Sequence, residues 1–324
     1  SRCQREGRGF DPLCPLQYFI VIKSELITRI FQKFLINKDI RSLKNNIFYY
    51  IIFRIIRNFL SDDIIIKIYN FKVFGSIKKN LTSYFLLKKC EFGDYEEINT
   101  IKRLSNYKKI FLIDCGCNYG FYSFYTASIS NKNNVVSIEA SSKTSKEFLK
   151  NLELNNFKNI YFINKAVSNE DNQELNFNES LNDWESSLSH DNFKLKSVNK
   201  VQSIKIDTLA QSYTLDEYIL LIKLDIEGNE MNAIDGALNT IKKFSPIIII
   251  EFSKYIFHNA ENIAILEKFL KNYDYEIYDT KKNKVSLDEI LDSINKLTKR
   301  YKTIGNYFLV KKLSNNYKLF KKND

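Results

Sequence analysis

The chain has 324 residues, 44% hydrophobic and 27% charged, with 25 Phe, 20 Tyr and a formal net charge of +11. That composition excludes a disordered chain and can build a sizeable core, enough for one large α/β domain with a smaller attachment or for two modest domains. Five cysteines, an odd count, argue against a disulfide framework. No apolar run approaches the roughly 20 residues that cross a bilayer, and the start lacks the charged, apolar and small-residue segments of a signal peptide. The expectation is a soluble, cytoplasmic protein.

Charge is uneven. Residues 1–100 carry 17 basic and 10 acidic side chains and residues 291–324 carry 9 and 2, so each end is +7 and the middle is −3. A slightly acidic centre does not suit a dedicated nucleic-acid binder, whereas the basic ends suit contact with an anionic surface such as lipid headgroups or phosphosugars.

Residues 1–15, SRCQREGRGFDPLCP, hold two of the three Pro and three of the nine Arg in a chain otherwise rich in Lys, Asn and Ile. They predict a non-native or disordered leader. Residues 16–85 predict a helical N-terminal extension. Its apolar stretches Leu26–Leu35 and Ile47–Leu60 fit packing on the protein's own domain, or peripheral contact with a membrane.

From residue 107 the pattern becomes strand, turn, helix, repeated up to residue 313, within a domain expected over 86–313. Strands are predicted at Lys109–Asp114, Val135–Glu139, Ile160–Ile163, Val201–Ile206, Ile219–Asp225, Pro246–Phe252, Tyr275–Tyr278 and Tyr307–Lys311. Helices are predicted at Phe121–Ser130, Lys143–Leu154, Asn229–Lys243 and Glu261–Asn272. Continuous apolar strands alternating with helices predict a mostly parallel sheet covered on both faces, with ligands beyond the carboxyl ends of its strands. Asn172–Lys200 is polar and irregular and reads as an insertion over the site. Residues 314–324 read as a basic tail.

The chemistry concentrates in FLIDCGCNYGFYS, residues 111–123. A buried strand ends in Asp114, followed by Gly116, Asn118 and Gly120 and then a helix. Glycines let backbone turn sharply and approach a ligand. A carboxylate at the strand end repels a pyrophosphate, which prefers bare N–H groups, but it favours the ammonium and sulfonium of S-adenosylmethionine. Glu139, ending the next strand, suits the two hydroxyls of a ribose. Cys115 and Cys117 read as small apolar residues of this turn rather than metal ligands.

Several ordered blocks of the chain resemble the FkbM-type methyltransferases. They are DCGCNYGFYS (114–123), SIKIDTLAQ (203–211), IKLDIEGNEMNAIDGA (222–237), PIIIIEFS (246–253) and GNYFLV (305–310). The resemblance covers about residues 90–310 and departs at Cys117, where a small Ala is common, and at Ala140, where Pro is frequent. It implies a doubly wound, mostly parallel Rossmann-like α/β methyltransferase sheet, S-adenosylmethionine as cofactor, and a hydroxyl acceptor on a saccharide or small natural product.

The cofactor residues expected on this reading are Asp114, Gly116, Asn118, Gly120, Glu139, Asn164, Ala166 and Asp225, with Asn164 and Ala166 in the loop after the third strand, where an adenine ring sits. Catalytic candidates are Glu251, an acid closing an apolar strand, Asp225, and the nearby imidazole of His258. Glu230 reads as structural. Asp225, Glu227 and Glu251 together suit Mg²⁺, but that spacing is generic and the resemblance implies no metal, so none is expected. Nucleic-acid methylation and a non-catalytic module on the same fold are the competing readings. The first lacks the paired-proline base-flipping loop of amino-group methylation on bases, the core's one Pro being Pro246.

Overall fold

A computed structural model describes residues 64–75, 94–180, 195–298 and 303–322. The chain divides into two units, Ser1–Phe92 and Gly93–Asp324. In the first, the described residues form a hairpin of strands β1 (Ile64–Ile68) and β2 (Phe71–Gly75), paired antiparallel from Ile64↔Gly75 to Ile68↔Phe71. The helical expectation for 16–85 therefore fails at this point. The β-branched run IIIKI favours a strand, and Tyr69 takes the left-handed conformation the tight turn demands. The leader and the two expected apolar helices lie outside the described residues.

The second unit opens with helix α1 (Tyr95–Tyr107) and strand β3 (Ile110–Cys115), followed by α2 (Phe121–Ile129), β4 (Asn134–Ile138), α3 (Ser142–Asn155) and β5 (Ile160–Ile163). Strands β6 (Ala166–Val167), β7 (Glu174–Ser180) and β8 (Leu195–Ile204) form a separate sheet of order β6-β8-β7. The chain then runs through α4 (Ile206–Gln211), β9 (Ile219–Leu224), α5 (Glu230–Asp235), α6 (Leu238–Phe244), β10 (Ile247–Ser253), α7 (Lys254–Phe257) and α8 (Ala260–Asn272). It closes with β11 (Tyr275–Tyr278), β12 (Lys284–Val285), α9 (Leu287–Asn295), β13 (Thr303–Lys311) and α10 (Asn315–Lys321).

The main sheet has eight strands in the order β12-β11-β13-β10-β9-β3-β4-β5. Strands β10, β9, β3, β4 and β5 run parallel, and β13 enters antiparallel between β10 and β11. Strands β3 and β9 are buried at every position, as a central strand covered on both faces must be. Each fully buried Ile or Leu there contributes about 1.5–3 kcal/mol. Phe124 of α2, Phe148 of α3 and Phe162 of β5 stack in sequence at centroid distances of 5.1 and 4.6 Å. Helix α3 starts where the Ser141 side chain accepts the Thr144 N–H and stops at the left-handed Asn156.

Three expectations need correction. The single helix over Asn229–Lys243 is two. A Cβ on Gly236, where the first of them ends, would lie 2.3 Å from the Ser168 carbonyl oxygen, so that close approach requires a glycine. Asp207 then stabilises the second start: its carboxylate accepts from the backbone of Asn239 (3.1 Å) and Thr240 (2.7 Å), satisfying N–H groups that a helix leaves open. Asn172–Lys200 is not irregular at its flanks, since β7 and β8 pair antiparallel from Glu174↔Gln202 to Ser180↔Leu195; residues 181–194 lie outside the described residues. Lastly, the basic tail is largely the helix α10, docked by a fully buried Phe320. The Arg103 guanidinium donates to the carbonyls of Leu319, Phe320 and Lys322 at 2.7–2.9 Å. The domain thus runs on to at least Lys322.

Candidate active site

Strand order decides which acids meet. Because β3, β9 and β10 are adjacent and parallel, Asp114, Asp225 and Glu251 sit at neighbouring strand ends on one edge of the sheet. The register sets Asp114 level with Lys223, and Ile250 with Leu224, so Glu251 stands level with Asp225.

On the β3–β4 side the loop after β3 folds back on β4, with the N–H groups of Gly116 (2.9 Å) and Cys117 (3.0 Å) both donating to the Ile138 carbonyl. Gly116 is left-handed, and a Cβ there would stand 2.0 Å from the Asp225 carbonyl oxygen. The glycine therefore serves the crossing of the β3 and β9 exits. Asp114 is 2% exposed and accepts from the Ser123 hydroxyl at 2.5 Å. Burial raises its pKa to about 6, against the Ser123 hydrogen bond and the Lys223 charge. Glu139 accepts from the backbone of Asn118 (3.0 Å) and Ser141 (2.9 Å); burial lifts it to about 7 despite those bonds. Asn118 is left-handed, and its Oδ1 is buried without a hydrogen-bond partner. Asn164 ties the loop after β5 to the end of β4, donating to the carbonyls of Glu139 (2.7 Å) and Ala140 (3.2 Å). Ala166 is buried in β6 and pairs with Ser203. Cys115 and Cys117 are free thiols whose pKa burial holds well above the ordinary value.

On the β9–β10 side, the Lys223 ammonium, 1% exposed, pairs with Asp225 at 2.9 Å. It also lies 5.1 Å from the centre of the Tyr122 ring. Burial and the Asp225 charge push the Glu251 carboxyl well above the usual carboxylate range. The loop from Asp225 to Glu230 turns through the left-handed Glu227 and Gly228. Glu230 holds it closed by accepting from the backbone of Ile226 (3.0 Å) and Gly228 (2.9 Å), the structural part expected of it. Carboxylate oxygens of Asp225, Glu227 and Glu251 lie within 4.8 Å of one another. That is close enough to share a cation, but Asp225 already has one in Lys223. His258 is exposed at the end of α7.

The sequence reading passed over four neighbours of this side. Glu97 on α1 is 4% exposed, and burial followed by the Asp94 charge raises its pKa. Asp94 accepts from the Tyr122 hydroxyl at 2.7 Å. Asn306 stands opposite Glu251 in the β10–β13 ladder, hydrogen-bonds Glu97, and leaves its Oδ1 buried without a partner. The apolar spacing of Ile98, Ile101 and Leu104 could have flagged α1, but no local pattern marks a strand-to-strand register.

A strand-end acid, a glycine-bearing turn into a helix, and a second acid one strand over are features of a nucleoside-binding methyltransferase sheet. Residues 114–277, just over half of the chain, match the model of the methyltransferase FkbM domain. The chain belongs to the FkbM methyltransferase family. S-adenosylmethionine is the cofactor this family membership implies. Similar solved structures include the methyltransferase FkbM from Methylobacillus flagellatus, at 18% identity and a TM-score of 0.38, covering 62% of this chain and 43% of that one. The chain thus spans less than half the length of that protein. TYW2 of M. jannaschii in complex with AdoMet matches at 13% identity and a TM-score of 0.38, with 77% and 85% covered. The O-methyltransferase from Bacillus cereus in complex with SAH matches at 13% and 0.36, with 68% and 80% covered. No curated protein matches the sequence.

The turn suits this cofactor, whose ammonium, ribose hydroxyls and adenine amine are all hydrogen-bond donors. The FkbM methyltransferase sheet presents acceptors to match: two buried carboxyls, Asp114 and Glu139, and the unpartnered Asn118 Oδ1.

Proposed function

We propose that this FkbM methyltransferase methylates a hydroxyl group on a saccharide or small natural-product acceptor. On this reading Asp114 receives the amino-acid end of the cofactor, Glu139 the ribose, and the stretch from Asn164 to the start of β6 at Ala166 the adenine. Gly116, Asn118 and Gly120 form the turn, and Asp225 borders the donor pocket. S-adenosylmethionine supplies an electrophilic methyl group on a sulfonium. The protein must set the acceptor oxygen in line with that methyl and keep water away. A hydroxyl must also shed its proton, which calls for a base at the acceptor.

One observation carries the reading: Glu251, a largely buried carboxyl with a raised proton affinity, stands level with Asp225 and two strands from the cofactor turn. A carboxyl tuned upward is a stronger base at neutral pH than an ordinary one. Glu251 therefore takes the acceptor's proton, and Asp225, fixed by Lys223, orients the acceptor. The basic stretches at both ends of the chain favour an anionic surface nearby, with attraction that salt weakens. The acidic surroundings of the acceptor end tell against nucleic acid, whose phosphates they repel.

The test is transfer of labelled methyl from S-adenosylmethionine to a panel of saccharides and small alcohols, set against RNA and DNA. Label is expected on a hydroxyl acceptor. With that acceptor, Glu251→Gln and Asp225→Asn should lower kcat by about 100-fold or more and leave cofactor affinity near wild type. Label on nucleic acid alone, or normal turnover in both variants, would overturn the assignment.

A further inference from the structure

Lys223 is among the largest side chains fully inside the molecule. It stands in an otherwise apolar strand, ILLIKL, at the centre of the sheet. Burying an ammonium costs several kcal/mol unless charges repay it. Here five carboxyl groups face it from four elements. Asp225 follows on its own strand at 2.9 Å. Asp114 lies level on β3. Glu251 sits two residues past Ile249, which pairs with Lys223 across β9 and β10. Glu97 on α1 and Asp94 just before it complete the set. The Tyr122 ring of α2 flanks the ammonium; Glu251 in turn meets Glu227, whose carboxylate lies within 4.8 Å of its own, and the charge of Glu230. With one cation among so many carboxyls, burial and the neighbouring negative charges make Glu251 and Glu97 hold their protons more tightly than free carboxyls do.

We propose that Lys223 is a positioning residue that sets the proton affinity of Glu251, and through it the pH at which the acceptor's proton can be taken. This rests on the assignment of Glu251 as base. The ammonium is held in its charged form: burial works against it, but Asp225, Glu251 and Asp94 outweigh that and raise its pKa. For Glu251, burial and Asp225 favour the protonated acid, and Lys223 is the foremost influence opposing them. Removing the ammonium therefore makes Glu251 hold its proton more tightly. A side chain that merely fills space would have no such effect.

The experiment reads Glu251 directly and needs no acceptor. The full chain is labelled with ¹³C at glutamate carboxyls, the Glu251 signal is assigned by its loss in Glu251→Gln, and its chemical shift is followed with pH. The wild-type midpoint should lie above the ordinary glutamate value. Lys223→Met should move it up by about one pH unit or more, a tenfold gain in proton affinity, and Lys223→Arg should restore most of the wild-type value. Should the Met variant not fold, Lys223→Gln is expected to shift in the same direction. A midpoint unchanged in the folded neutral variant would overturn the proposal. Loss of turnover in Glu251→Gln tests the base assignment separately, so the two failures are told apart.

Discussion

On the β3–β4 side of the site, each buried carboxyl is engaged by its immediate surroundings: Asp114 by the Ser123 hydroxyl, Glu139 by two backbone N–H groups. On the β9–β10 side, Asp225 and Glu251 share one ammonium with acids from α1, and the Asn306 Oδ1 beside them has no partner. Both sides hold acids at the carboxyl ends of parallel strands. The first is a set of acceptors fixed before any ligand arrives, as suits a cofactor of constant shape. The second gathers acids round one buried ammonium, with Glu251 and Glu97 holding their protons more tightly than free carboxyls, as suits proton transfer.

That contrast can be broken by separating binding from turnover. Asp114→Asn and Glu139→Gln keep shape and remove charge. Each should weaken S-adenosylmethionine binding by about 1–3 kcal/mol, the worth of a hydrogen bond to a charged group, whereas Glu251→Gln should leave binding unchanged. Isothermal calorimetry on the folded variants decides. Equal losses across all three would erase the division between the two sides.

A smaller effect appears in pH. Asp114 is raised from 3.8 to about 6 and Glu139 from 4.5 to about 7. A carboxyl raised in the folded state adds stability that is full below its unfolded pKa and is lost as pH rises through the folded one. These two groups, with Glu230 raised to about 7, should make the ligand-free protein melt lower as pH climbs from about 4 to 7. A ligand that brings a cation and hydroxyl donors favours the ionised forms, so cofactor binding should release protons between about pH 6 and 7 and tighten as pH rises. Calorimetry in buffers of different ionisation enthalpy measures that release. A heat independent of buffer would mean that neither acid meets the cofactor.

The parts of this site that are legible in the sequence are those made by neighbours in the chain. Asp114 and the glycine turn lie within seven residues, and the apolar runs of β3, β9 and β10 are long enough to read as buried strands. Length and apolar continuity do not say that β13 inserts antiparallel beside β10, so Asn306 could not be set against Glu251. The helix holding Glu97 went unread because its buried stripe is interrupted by charged side chains. One of these, Arg103, turned out to cap α10 from 216 residues away. The two helices after β9 read as one because the close approach at their junction, Gly236 against Ser168, is also long-range. Asp207, whose place in SIKIDTLAQ suggested family kinship, gains its physical role only in three dimensions, as the cap on α6.

The smallest expected effect falls on His258, the third base candidate. An imidazole titrates near neutrality and is the usual choice for a general base, so its sequence position seven residues past Glu251 gave it a claim. Its backbone N–H closes the end of α7 onto the Lys254 carbonyl at 2.9 Å, and the residue is exposed. An exposed imidazole is free to sample water and holds no fixed line to an acceptor oxygen, whereas proximity yields its large rate factors only when geometry is held. A change to alanine leaves that backbone bond in place. His258→Ala should therefore turn over the acceptor within about twofold of wild type, far short of the 100-fold or more that a general base contributes. A loss approaching that of Glu251→Gln, with cofactor binding intact, would move the base out of the buried acid cluster and onto the surface of α7.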